Sequence, residues 1–105
     1  MGRRIEHACT CGLSAIVSGR TDAGMNALTE TVVCGACGAL DDRLTHELGP
    51  GSSDASSHSF VAVAPAPCVR CEAASSQLRP WVSGEPCPSC GRPLAATGPE
   101  EVLWD

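Results

Sequence analysis

The chain has no lysine, no tyrosine and, in 105 residues, only one phenylalanine and two tryptophans (Phe60, Trp81 and Trp104). So few aromatics rule out a large conventional core, and a half-chain of this size buries too little apolar surface to offset its ordering entropy unaided. The seven basic residues are all arginine and are scattered at Arg3, Arg4, Arg20, Arg43, Arg70, Arg79 and Arg92. No basic patch emerges, and phosphate-backbone binding depends on one. Nucleic acid is therefore not the expected partner. No apolar run approaches a membrane span. The opening MGRRIEHACTCG has arginines without the apolar stretch of a secretory signal, and Glu6 stands where a myristoylation pattern wants Ser or Thr. A cytoplasmic location is expected, with no membrane anchor.

What is abundant is cysteine, and it is ordered. Eight cysteines fall in close pairs: Cys9/Cys11, Cys34/Cys37, Cys68/Cys71 and Cys87/Cys90. The last four read C-x2-C-x15-C-x2-C, a spacing that marks structural zinc sites. The first four read C-x-C-x22-C-x2-C, a looser version of the same design. Two cysteines one or two residues apart can supply one edge of a zinc tetrahedron, and a second pair the opposite edge. Disulfides are disfavoured because the cytosol keeps thiols reduced. Structural zinc contributes roughly 10–16 kcal/mol to folding in small finger peptides. That equals or exceeds most of the typical domain stability range of about 5–15 kcal/mol, so the fold is expected to need its metal.

Residues 49–57, GPGSSDASS, have the composition of a flexible linker. They divide the chain into a first module, 1–48, and a second, 58–105, each with four cysteines. In the first, Ile5–Ala8 leads in, and Leu13–Ser18 and Thr29–Val33 are rich in β-branched residues and predict a hairpin. The intervening GRTDAGMNA carries turn chemistry. Leu40, Leu44 and Leu48 recur every fourth residue, which predicts a short helix over 41–48 with Asp41 as cap and Gly49-Pro50 as stop. In the second module Phe60–Val63 leads in. Leu78–Ser83 is a strand candidate that Pro80 confines to an edge or a bulge, and Val102–Trp104 is a candidate closing strand. Single-sequence boundaries carry an error of a few residues.

The residue after each second cysteine is informative. A metal knuckle folds its N–H groups toward the thiolates and commonly needs a positive φ at that position, where glycine carries no penalty. Gly12, Gly38 and Gly91 occupy it in three pairs and Glu72 in the fourth. With these residues in view, C-V-R-C…C-P-S-C-G-R-P resembles a zinc ribbon, and C-T-C-G…C-G-A-C-G is a diverged version. The resemblance implies a small, metal-stabilised, mainly β fold of two ribbons in tandem. It implies two zinc ions, one held by Cys9, Cys11, Cys34 and Cys37, the other by Cys68, Cys71, Cys87 and Cys90. A cross-brace would instead combine Cys9/Cys11 with Cys68/Cys71 and Cys34/Cys37 with Cys87/Cys90; the linker favours the sequential arrangement. GEPCPSCGRP is also similar to the second knuckle of rubredoxins, which makes iron the alternative metal and electron transfer the alternative role. Against it, Glu72-Ala73 stands where rubredoxins have Gly and an aromatic residue.

Other candidates have simpler readings. His7 lies two residues before Cys9 but the four-sulfur sets are already complete, and His46 and His58 read as solvated. Asp41-Asp42 and Glu100-Glu101 read as caps and surface charge. Trp81 and Trp104 are expected to pack together or over a knuckle. Closed four-cysteine sites leave no coordination position for water, so the chain is expected to be non-enzymatic. The expected function is a protein-interaction or accessory subunit with an unidentified protein partner. A transcription-associated nucleic-acid binder stands as a further alternative.

Overall fold

The computed structural model describes residues 2–48, 60–98 and 101–104. The elements run β1 (Gly2–Ala8), β2 (Ser14–Val17), β3 (Asp22–Ala23), β4 (Ala27–Cys34), β5 (Leu40–Leu48), β6 (Phe60–Ala62), a 3-10 turn (Ser75–Gln77), β7 (Leu78–Pro80) and β8 (Glu101–Trp104). They form two antiparallel sheets. One has the order β2-β1-β8; the other has the order β3-β4-β5-β6, with β7 also on β4. The mainly β class agrees with the expectation.

β4 is the hub of the larger sheet. Its sequence ALTETVVC is dense in β-branched residues, which suit a pleated, packed surface, and Thr29, Thr31, Val32, Val33 and Cys34 are all buried. β5 pairs along one edge of β4, while β3 and β7 share the other. Pro80 sits opposite Val32 in β7, a short strand at the rim, where a missing N–H is tolerated.

Residues 41–48 are strand, not helix. Leu40–Leu48 forms β5 and pairs with β4 from Val33↔Leu40 to Ala27↔Glu47. A spacing of four places leucines on one face of a helix, but four is also an even number and fits one face of a strand. Pairing to β4 decides between them. The register shifts between Leu28 and Thr29, leaving Thr45 as the extra residue of a bulge. Its hydroxyl donates to the Leu28 carbonyl at 3.1 Å.

The expected hairpin between Leu13–Ser18 and Thr29–Val33 also forms differently. Both segments are extended, yet β2 pairs with β1 and β4 pairs with β5. The Cys9/Cys11 and Cys34/Cys37 knuckles are themselves the tight turns of hairpins, so β1 meets β2 and β4 meets β5 across a knuckle instead.

The linker proposed over 49–57 lies outside the described residues. Elements from either side of it nonetheless share sheets: β7 adds to β4, β6 to β5, and β8 to β1. Further bonds join the Thr97 and Gly98 N–H groups to the Glu6 carbonyl.

The core lies where the two sheets face each other. Val17, Val33, Leu40, Trp81, Cys87 and Leu94 form one buried cluster, with Cys9, Leu13 and Ala15 packed against it. Trp81 is its largest side chain, and its indole N–H donates to the Pro86 carbonyl at 3.1 Å. Trp104 does not join it. It covers Gly2, where a Cβ would strike the indole ring, and the Arg4 guanidinium lies 5.5 Å from the ring centroid, within cation–π range.

A polar seam runs beside the core. The Asp42 side chain is only 3% exposed. It accepts from Arg4 Nε at 2.9 Å, the Ser18 N–H at 3.0 Å and the Thr31 hydroxyl. Thr31 Oγ1 in turn accepts the Gly19 N–H at 2.8 Å. Asp42 is thus a buried, satisfied charge joining both sheets, not the solvated acid its neighbour Asp41 suggested. Burial works against ionisation of nearby Asp22, but the Arg3 N–H and the Ser18 hydroxyl outweigh it and hold the carboxyl below its ordinary range.

Candidate metal centres

Four knuckles are built to one plan. The first cysteine's N–H donates across the turn, to Leu13, Ala39, Ala73 and Arg92 carbonyls respectively, at 2.7–2.9 Å. Its carbonyl accepts the N–H of the residue after the second cysteine, in Gly12→Cys9, Gly38→Cys34, Glu72→Cys68 and Gly91→Cys87. That geometry forces the accepting residue's partner into the left-handed region, and φ is 103° at Gly12, 74° at Gly38, 60° at Glu72 and 80° at Gly91. Glu72 is the single non-glycine residue with positive φ among the described residues. All four positions singled out in the sequence adopt this conformation.

The knuckles meet two by two, in an order neither expected pairing contained. Cys9 and Cys11 join Cys87 and Cys90; Cys34 and Cys37 join Cys68 and Cys71. One set is nested inside the other along the chain, and we call them outer and inner. The sequential pairing is corrected, and so is the cross-brace. Its physical basis is sheet pairing: β1–β8 brings the two ends of the chain together, and β4–β7 sets Cys34 opposite Leu78. The sequence argument assumed that each half closes before the linker begins, whereas the strands bind across it.

The donor geometry fits a tetrahedral ion. Within each set the four sulfurs lie within 4.8 Å of one another. Individual separations are 3.4 Å for Cys9–Cys90, 3.8 Å for Cys11–Cys87, 3.7 Å for Cys34–Cys71 and 3.8 Å for Cys37–Cys68. Four sulfurs each about 2.3 Å from a zinc ion are about 3.8 Å apart. A disulfide would need about 2.05 Å, and all eight cysteines are free thiols. The first cysteine of each pair turns inward, with Cys34, Cys68 and Cys87 buried and Cys9 half-buried, while Cys11, Cys37, Cys71 and Cys90 are exposed.

Electrostatics divide each set. Cys11 is lowered to about 6, mainly by the Leu13 N–H and then by Cys9. Cys68 is lowered to about 7 by the N–H groups of Cys71 and Arg70. Their partners move oppositely. At Cys71 the Ala73 N–H favours the thiolate, but desolvation and the Cys37 and Cys34 sulfurs prevail and push it up to about 12. At Cys90 the Arg92 N–H is likewise overcome, by Cys9, desolvation and Cys11, giving about 11. Once one thiol in a set ionises, the next is opposed by like charge. A divalent cation removes that opposition.

Neither His7 nor His46 takes part in either set. His7 is 1% exposed. Its Nδ1–H donates to the Ile5 carbonyl at 2.9 Å, which leaves Nε2 to accept from the Ser83 hydroxyl at 3.1 Å. The ring meets Trp81 edge-on, with centroids 5.7 Å apart. It is a core histidine. His46 lies in β5, half-buried, with Thr45 Oγ1 3.0 Å from its Nδ1. His58 and Glu100 lie outside the described residues.

Of the two arrangements expected for Trp81, packing at a knuckle is the one found: it lies with Leu94 against Cys87. Sequence reasoning missed Leu94 and Arg92, which reaches from one outer knuckle to the Thr10 hydroxyl of the other at 3.4 Å. No local pattern announces a contact like that of Arg92 with Thr10, across more than eighty residues of chain. Among the described residues no helix is long and apolar enough to cross a membrane. The chain matches no family model, no curated protein and no solved structure.

Proposed function

We propose that this chain is a non-catalytic, two-zinc protein that works as an interaction or accessory subunit for a protein partner in the cytosol. The observation that carries the metal reading is the sulfur spacing: two sets of four thiols at tetrahedral-edge separations. Zinc is favoured over iron because the aromatic supply of a rubredoxin is missing from the sequence; the four-sulfur geometry itself suits either metal. A tetrathiolate set offers no open position for water, which supports a structural rather than a hydrolytic ion.

The interaction reading is supported by the sheet margins. β2 and β8 are the outer strands of their sheet, and Ile16, Val102 and Leu103 are 43–55% exposed on them. Margin strands with apolar side chains suit strand addition by a partner.

The test is elemental analysis and a visible spectrum of the purified protein, followed by affinity capture from the native source with and without chelator. Two zinc ions per chain, no colour, and a partner retained only by loaded protein are the expected results. A red protein with reversible one-electron chemistry would replace this reading with an iron electron carrier. Salt-sensitive binding to DNA or RNA without a protein partner would replace it with a nucleic-acid binder.

A further inference from the structure

We infer that the two metal sets are energetically coupled, so that the chain loads two ions in a nearly all-or-none manner with the inner set closing first. The inference rests on the two-ion reading above and adds to it how the sites regulate one another.

The first observation is a shared core. Val33 and Leu40 flank the inner pair Cys34/Cys37 on β4 and β5, and both belong to the cluster that contains the outer ligand Cys87. Cys9, the outer set's other inward sulfur, packs against the same cluster with Leu13 and Ala15. Trp81 and Leu94 complete it, each about 3% exposed or less. Freeing Cys87 from the outer set would therefore uncover the residues that hold the inner hairpin in place. The converse also holds.

The second observation is proximity. A Cβ placed on Gly38, the positive-φ residue of the inner knuckle, would stand 3.8 Å from Pro88 Cβ in the outer knuckle. That is ordinary van der Waals distance. The two knuckles are near neighbours, with room for about a methyl group between Gly38 and Pro88.

The third observation is nesting, which sets the order. Cys37 and Cys68 are 31 residues apart, whereas Cys11 and Cys87 are 76 apart. Loop closure scales as the 3/2 power of length, which favours the inner set by about fourfold when neither has closed. Closing it then shortens the path the outer set must span. Entropy and packing act in the same direction, and couplings between packed sites commonly amount to about 5–150-fold.

The experiment uses the full chain, stripped of metal under reducing conditions and titrated with zinc, with species resolved by native mass spectrometry. Independent equal sites would place about half of the protein in the one-zinc form at half loading. A coupling of about tenfold or more lowers that to about a quarter or less. Cys90→Ser, which disables the outer set, is expected to weaken apparent zinc affinity at the inner set by about threefold or more. Leu40→Ala leaves all eight ligands intact and is expected to raise the one-zinc fraction. A one-zinc population at or above half, or a Cys90→Ser chain with unchanged inner affinity, overturns the coupling while leaving the two-ion reading standing. Failure to take up zinc at all would overturn both.

Discussion

At the scale of single residues, backbone conformation gives the sharpest prediction. Glu72 occupies a left-handed position that Gly12, Gly38 and Gly91 fill elsewhere. A non-glycine residue there costs about 1–2 kcal/mol, and glycine's greater freedom in the unfolded chain returns about 0.5–1 kcal/mol of that. Glu72→Gly is expected to stabilise the loaded protein by about 0.5–1 kcal/mol. Gly91→Ala is expected to destabilise it by about 1–2 kcal/mol, and since nothing lies within 4 Å of the Gly91 Cβ site, the loss would be conformational and not steric. Thermal unfolding of the two variants beside the parent checks both signs; opposite signs would refute the knuckle account. This slot was legible in the sequence because it depends on one residue and its immediate turn. Asp42 was not legible. Nothing in DDRLTHEL distinguishes an acid bonded to Arg4, Ser18 and Thr31 from Asp41 beside it, which only meets Arg70 at 3.3 Å near the surface.

At the scale of elements, the knuckle hairpins govern how metal and protons compete. Thiols bound to a divalent cation are held as thiolates, so their bound-state pKa values fall below those of the metal-free fold. Stabilisation by the ion is therefore fullest at high pH and is lost as pH falls. Cys90 and Cys71 stand at about 11 and about 12 before metal arrives, so each set must release at least one proton on binding near neutrality. Apparent zinc affinity is expected to rise at least about tenfold per pH unit between about pH 6 and 8. Competition with a chromophoric chelator measures it, and a flat profile would exclude thiolate ligation. The elements themselves were partly readable. β-branched density located β4, and Pro80 correctly marked a rim strand. The leucines at 40, 44 and 48 misled because a period of four satisfies both a helical stripe and an even strand face; hydrogen bonding to β4, a tertiary fact, separates them. The hairpin partners were misread because turn and ligand pair were treated as separate features when one segment serves as both.

At the scale of the whole molecule, the described residues span 46 × 32 × 17 Å. The thin dimension holds little more than two sheets, which pack about 10 Å apart. Such a slab has few fully buried side chains and depends on cross-links. Those cross-links join the two halves: each set takes one cysteine pair from before the linker region and one from after it. Residues 58–105 expressed alone would possess half of each set and no complete one. They are expected to bind zinc weakly and to show poorly dispersed amide resonances, and mixing them with residues 1–48 is expected to restore both properties. A compact, tightly zinc-loaded 58–105 fragment would contradict the nested arrangement. The ligand pairs were visible in the sequence because each is local. Their partnership was not, since it follows from β1 meeting β8 and β4 meeting β7.

Nesting has a consequence during biosynthesis. Cys11 emerges from the ribosome 76 residues ahead of Cys87, an interval of about 4–15 s at ordinary elongation speeds. Throughout that interval the leading thiols have no mates, and a transcript cut short anywhere before codon 90 yields a polypeptide that cannot finish its outermost clasp. Synthesis of Cys90 is thus the step at which the chain first possesses a full complement of ligands for both ions.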